Sequence, residues 1–264
     1  MYVLLVANVI FYLAAGFDQF LVLLLATAVS YVVACKMGKL HEKLEKQKQE
    51  EGLDRKQIKR IKANNKKQRK RILIWGLVLN IGILIVFKYT NFLLKTGYSI
   101  LDLFGIGHGD DLFKLIMPLG ISFYTFQTMG YVIDVYRGKA EAEKNIFKMA
   151  LFTSFFPQLI QGPISRFGEL SQTLYAPHRF DFRTVWFGLE RVLWGYFKKL
   201  VIADRIVVAV NAIVGQPDIY SGFYVFCGML FYAAELYADF TGGIDITIGI
   251  AQMFGIQLAE NFER

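Results

Sequence analysis

Apolar runs long enough to be helices alternate along this chain with charged or glycine- and proline-rich breaks, and one run carries a polar stripe. Leu115–Tyr136 is apolar and aromatic along most of its length. As a helix it would reach about 33 Å, enough to cross a bilayer. Tyr124, Gln127, Thr128, Tyr131 and Asp134 recur along it near i, i+3/4, i+7 and i+10, opposite a side of Leu, Phe, Met, Ile and Val. Lipid offers no hydrogen-bond partner, so this stripe must meet other helices or line a wet cavity. Pro118 falls at the expected first turn, where its missing N–H costs little.

The remaining runs predict further helices. Tyr2–Ala15 is apolar but short, Gly16-Phe17-Asp18 interrupts it, and Phe20–Ala34 continues as a span toward Lys36. Lys39–Arg71 is charged, and Leu44, Leu53, Ile58 and Ile61 give it a sparse apolar stripe, which predicts a surface helix broken near Gly52. Ile72–Phe87 restarts a span that runs to about Leu94, and Gly97–Leu112 reads as an external loop. Ile146–Ile160 is too short to span comfortably. It leads into Phe155–Arg166, where Pro157, Gly162 and Pro163 break the backbone ladder, so a half-helix and a re-entrant turn are expected. Phe182–Val214 mixes Trp186, Leu189, Leu193 and Phe197 with Glu190, Arg191, Lys198, Lys199, Asp204 and Arg205. That mixture predicts an amphipathic helix on the cytoplasmic face. Ser221–Tyr237 reads as another span, and Ile246–Ile256 follows with small residues that permit close packing.

Composition sharpens this picture. The chain has 264 residues, 55% of them hydrophobic, with mean hydropathy +0.37. The expected fold is an all-α polytopic membrane helix bundle with re-entrant and interfacial amphipathic helices, one integral-membrane domain over 1–264. Charge is concentrated: residues 36–71 hold 15 Lys/Arg against 5 Asp/Glu, a net of +10, which leaves −2 for the rest of a chain of net charge +8. Set between two spans, this block reads as a cytoplasmic loop that orients the protein and touches anionic lipid. It lacks the interleaved aromatics of a base-stacking surface, so nucleic acid is not an expected partner. Cys35 and Cys227 have neither metal-ligand nor disulfide spacing. No phosphate-binding glycine loop, HExxH or CxxC occurs, and no metal or bound cofactor is expected.

Acid–base groups are few. His41 lies in the basic block, His108 in the glycine-rich Gly105–Asp111 stretch beside Asp110 and Asp111, and His178 beside Pro177. Asp134, Glu235, Asp239 and Asp245 sit in or at the ends of spans, where they can bind a cation, hold a proton or neutralise Arg and Lys neighbours. Helix-packing partner is the plainer reading of each.

Four stretches in order carry a resemblance: PLGISFYTFQTMGYVIDVYRG (118–138), FFPQLIQGPISRF (155–167), GYFKKLVIADR (195–205) and YADFTGGIDITIGIAQMFGIQLAENF (237–262). Together they resemble the membrane-bound O-acyltransferase family, in its bacterial alginate O-acetylation and D-alanyl-teichoic acid branch. The resemblance implies a multi-pass bundle in the cell membrane around a central funnel. It implies an acyl donor, acetyl-CoA or an acyl-carrier thioester, arriving from the cytoplasm as a substrate. It implies O-acylation of an extracytoplasmic polysaccharide or cell-wall polymer, with an acyl-carrier protein and an extracytoplasmic acyltransferase- or esterase-like protein as partners. In the family, a Pro and an FWRRWH-type segment with an invariant histidine follow a stretch resembling AENFER. That histidine is therefore expected beyond Arg264, this chain reads as an N-terminal portion, and no catalytic residue is assigned within it. Expressed alone it is expected to be inactive. Gly243-Ile244 stands where alginate-type members often carry Tyr-Ser, which favours a Gram-positive member. Ser122, Tyr124, Gln127, Tyr131, Asp134, Gln158, Gln161, Arg166, Asp239, Asp245 and Asn261 are the candidates for lining or supporting the funnel. The alternative is a transporter or channel-like protein, suggested by the intramembrane Asp239 and Asp245 and the break near Pro157; it predicts flux without an acyl donor.

Overall fold

The computed structural model describes residues 1–49, 55–103, 115–216 and 218–261, and every regular element among them is helical. The expected break near Gly52 and the Gly105–Asp111 stretch with His108 lie outside the described residues. The chain divides into two compact units: Met1–Phe156 with Arg166–Gly168, and Pro157–Ser165 with Glu169–Arg264.

The first unit opens with α1 (Tyr2–Ala15) and α2 (Phe17–Gln49). Gly16 separates them at φ 144, a conformation side chains disfavour, and its N–H closes α1 onto the Tyr12 carbonyl. The long α3 (Arg55–Leu103) packs antiparallel on α2, as three cross-contacts show. Ser30 donates to Asn80 Oδ1 at 3.3 Å, a Cβ on Gly76 would meet Val33 at 2.8 Å, and Asn65 donates to the Leu40 carbonyl at 2.6 Å. Two expectations change here. Residues 55–71 of the charged stretch and the following span are one continuous α3, because Lys, Arg and Gln favour helix and neither Pro nor Gly intervenes between Arg55 and Ile72. Residues 97–103, expected in a loop, continue the same helix.

The striped run also starts later than expected. Helix α4 covers Ile121–Arg137, about 25 Å rather than 33 Å. Residues 115–118 are not helical. Pro118 disfavours helix in the residue before it, and Gly120 is left-handed at φ 69. Side chains then clip the extended entry: Asn91 exchanges two hydrogen bonds with the Leu115 backbone, at 2.7 and 3.0 Å, and Gln19 accepts from Leu119 N at 2.9 Å. At the far end Arg69 donates to the Val135 and Tyr136 carbonyls, capping α4 with a cation where its dipole favours one. Helix α5 (Ile146–Ser154) is N-capped by Asn145. As expected, the helix breaks after it: α6 is only Phe156–Gln161, and 162–166 is irregular before α7 (Phe167–Leu174).

In the second unit α8 (Phe182–Tyr196) passes through a π-helical segment, Phe197–Ala203, into α9 (Asp204–Gly215). Helix α10 is Phe223–Met253, one helix where a span ending at Tyr237 and a second segment from Ile246 were expected, because the intrahelical ladder needs no side chain at Gly242-Gly243 and Gly249 is held against α8. Two described helices are long and apolar enough to cross a membrane, α2 and α3. Helix α10 has the length but carries Glu235, Asp239 and Asp245.

Candidate functional site

Four glycines bring α8 and α10 together. A Cβ on Gly188 would lie 2.7 Å from the Gly249 carbonyl oxygen, and one on Gly249 2.6 Å from that of Gly188. Gly195 and Gly242 are matched in the same way, at 2.6 and 2.9 Å. Each helix repeats its glycine after seven residues, so the pairing is antiparallel and the backbones touch at two levels. No larger residue fits any of these positions without the helices parting.

Between these levels and just beyond them lies an ionic cluster. Arg191 Nε donates to Asp245 Oδ1 at 2.9 Å, and Lys198 Nζ donates to Asp245 Oδ2. The other two guanidinium nitrogens of Arg191 hold Glu260 in a fork, both at 2.6 Å. Lys199 pairs with Asp204 at 3.0 Å and with Asp239. The Asp245 side chain is 9% exposed, those of Arg191 and Lys198 16% and 15%. Gln161 from α6 closes onto the same helix: its amide reaches the Asp239 carbonyl at 3.5 Å, and a Cβ on Gly243 would sit 2.3 Å from its Oε1.

This placement corrects the expectation for Phe182–Val214. Arg191 and Lys198 do not mark a wet face; they turn onto α10. The exposed residues of α8 include Trp186, Phe187, Leu193 and Trp194 beside Arg183 and Glu190, and those of α10 include Phe223, Phe226, Leu230, Leu236 and Phe240. Paired charges inside and large apolar groups outside suit lipid surroundings. Both oxygens of Asp245 are taken by cations, so it is poorly suited to accept a proton from a reacting hydroxyl. What the cluster can do is hold α8, the π-helical segment and α10 in one register. A π-helical turn beside such a cluster is a frequent mark of a functional position.

The first unit holds a neutral polar core instead. Thr27 and Thr153 share a hydrogen bond at 2.8 Å, and Asn8 donates to Ser154 at 3.1 Å while accepting from Phe156 N at 3.3 Å. The α4 stripe faces this core. Gln127 donates to the Phe152 carbonyl at 3.1 Å, and the Tyr131 hydroxyl accepts from Glu143 N at 2.7 Å, its ring 4.5 Å from Phe167. The Tyr12, Tyr124 and Thr125 hydroxyls are buried with no partner among the described residues.

The candidates thus fall into two groups. Tyr124, Gln127 and Tyr131 line one face of α4, Ser122 is half-buried in its first turn, and Asp134 is half-buried near its end. Gln161, Asp239 and Asp245 converge on α10. Gln158 is buried with its amide unpartnered among the described residues, whereas Arg166 and Asn261 are exposed. Arg191, Lys198, Lys199 and Glu260 were missed as site residues. Their signal was present in the matched sevenfold spacing of Gly188/Gly195 and Gly242/Gly249, with Arg191 and Asp245 between. His41 and His178 are exposed, His41 facing Arg69 and His178 the Thr173 carbonyl.

No protein-family model matches the chain. It is 37% identical over 195 residues to a probable alginate O-acetylase of Pseudomonas aeruginosa, covering 74% of this chain and 37% of that protein. A peptidoglycan O-acetyltransferase of Helicobacter pylori is 32% identical over 216 residues, covering 72% of this chain and 40% of the relative. A teichoic acid D-alanyltransferase of Bacillus subtilis is 24% identical over 158 residues, 57% of this chain and 39% of the relative. The chain therefore spans about two fifths of the curated relatives it matches. The identities run against the Gram-positive affinity expected from Gly243-Ile244, since the Bacillus relative is the more distant. Four stretches in family order, a polar-in, apolar-out helical architecture and these relatives lead to one conclusion: the chain is a membrane protein and belongs to the membrane-bound O-acyltransferase family.

Proposed function

We propose that this protein works in O-acyl transfer at the cell membrane, as a multi-pass component that passes acyl groups from a cytoplasmic acetyl-CoA or acyl-carrier thioester toward hydroxyls of an extracytoplasmic polysaccharide or cell-wall polymer. An acyl-carrier protein and an extracytoplasmic acyltransferase- or esterase-like protein are its proposed partners. One observation carries the reading beyond family likeness. Two of the four stretches that mark the family, 195–205 and 237–262, meet as the Lys198–Asp245 and Lys199–Asp239 pairs. A family pattern is thereby tied to a physical object, a helix register held by buried charge. In this role Asp239 and Asp245 position the bundle and perform no bond chemistry.

The test supplies labelled acetyl-CoA or acyl-carrier thioester to membranes from source cells with and without the gene that encodes this chain, with polysaccharide and cell-wall acceptors. Alkali-labile label on a polymer, dependent on the protein, is the expected result. Donor-independent solute flux with no ester formed would replace the acyltransferase reading with the transporter reading.

A further inference from the structure

The antiparallel α2–α3 pair leaves a groove on its surface that changes character at one level. On one side of that level is a hollow of about 460 Å³, walled mostly by apolar atoms of Leu40, Ile72 and the stems of Lys36, Lys39, Lys43 and Arg71, cationic residues that are all exposed. On the other is a hollow of about 520 Å³, lined by Val29, Val32, Trp75 and Leu79 among others. Lys36, Arg71 and Ile72 line both, so the two hollows adjoin. The change from cationic to apolar occurs at Lys36 on one helix and Arg71 on the other. Trp75 lies one turn below Arg71 and is 63% exposed, as an aromatic at a membrane–water boundary would be. Beyond Lys36, α2 continues for about 20 Å as a charged rod. Within the pair, Leu44 packs near Ile58 and Ile61.

We infer that this groove binds an anionic phospholipid, with its phosphate among Lys36, Lys39, Lys43 and Arg71 and an acyl chain along Val29, Val32, Trp75 and Leu79. Charge and shape together select this occupant. None of the four cations forms an ion pair with a described carboxylate, although Glu42 and Glu45 nearby each have one. A soluble anion would leave the apolar half uncovered, and a neutral lipid would leave the cations unmatched. The basic block as a whole attracts any anionic surface; the groove adds a defined seat within it. This site is independent of the ionic cluster in the second unit and of the proposed acyl transfer.

The experiment uses Trp75 as reporter, with Trp186→Phe and Trp194→Phe replacing the chain's other two tryptophans. The protein is placed in phosphatidylcholine bilayers containing equal fractions of either brominated phosphatidylglycerol or brominated phosphatidylcholine. Brominated phosphatidylglycerol should quench Trp75 at a several-fold lower mole fraction. Lys36→Gln with Arg71→Gln should abolish that preference, and Lys39→Gln with Lys43→Gln should reduce it. Lys62→Gln with Lys66→Gln removes the same charge elsewhere in the block and should preserve it. Equal quenching by both lipids, or equal loss in the control pair, would overturn the site in favour of diffuse attraction. Removal of the preference by millimolar inorganic phosphate would overturn it in favour of a small-anion site.

Discussion

The two units solve the same problem with different chemistry. Each must bury polar side chains within helices that show apolar surface outside. The first does so with neutral groups: Thr27 with Thr153, Asn8 with Ser154, Ser30 with Asn80, Gln127 with a backbone carbonyl. The second does so with ions, Arg191 and Lys198 converging on Asp245. Neutral pairs tolerate loss, because each orphaned hydroxyl costs about 1–3 kcal/mol at most and often less in membrane proteins. A buried ionic cluster does not, because removing one member leaves the others charged and unmatched. The first unit is thus built for tolerance, the second for a single register.

Asp245→Asn should therefore give the largest loss, about 3 kcal/mol or more. It would be seen as a lowered unfolding midpoint in detergent. A midpoint within experimental error of the parent would end the view that the cluster holds the second unit together. Gly249→Val should come next. Its side chain must displace the Gly188 backbone rather than a flexible neighbour, at about 1–3 kcal/mol. A disulfide bridging cysteines introduced across α8 and α10 should then form more slowly.

In the neutral core, Thr27→Val keeps the shape and removes one hydroxyl pair, so it should cost about 1 kcal/mol by the same unfolding measurement. A cost equal to that of Asp245→Asn would erase the contrast between the units. Lys199→Gln sharpens it from inside the second unit. Lys199 is 42% exposed and its pairs are partly screened, so the loss should stay below about 1 kcal/mol and shrink with added salt.

The smallest effect expected is at the start of α8. The Asp181 carboxyl is held below its ordinary range, first by the Thr184 hydroxyl and then by backbone N–H groups of the first turn. A depressed folded-state value means the contribution is fully present above about pH 4, near the unfolded value, and is lost as pH falls through the folded one. Helicity followed by circular dichroism from pH 6 downward should show this loss, and Asp181→Ala should lack it.

Much of this was legible in the chain. The period of Tyr124, Gln127, Thr128 and Tyr131 predicted an inward stripe; all four are buried, and Gln127 and Tyr131 bond beyond their own helix. Gly16, Pro157 and Pro163 predicted breaks and broke helices, because they act on the local backbone alone. What failed was reading charge without its partner. Arg191 and Lys198 looked like a solvated face because their counter-ion stands about fifty residues away in sequence.

By itself, then, the sequence determined the helical class, the family and the helix breaks at Gly16 and around Pro157 and Pro163, since periodicity, backbone stereochemistry and apolar length are local properties. Tertiary structure alone decided which polar groups were paired. It turned the Arg191 and Lys198 charges of α8 inward onto Asp245, whereas the continuity of α3 and the late start of α4 follow from helix propensity and from Pro118 and Gly120. The physical reason is that the free energy of a buried polar group is set by the group opposite it, and that neighbour is chosen by the fold.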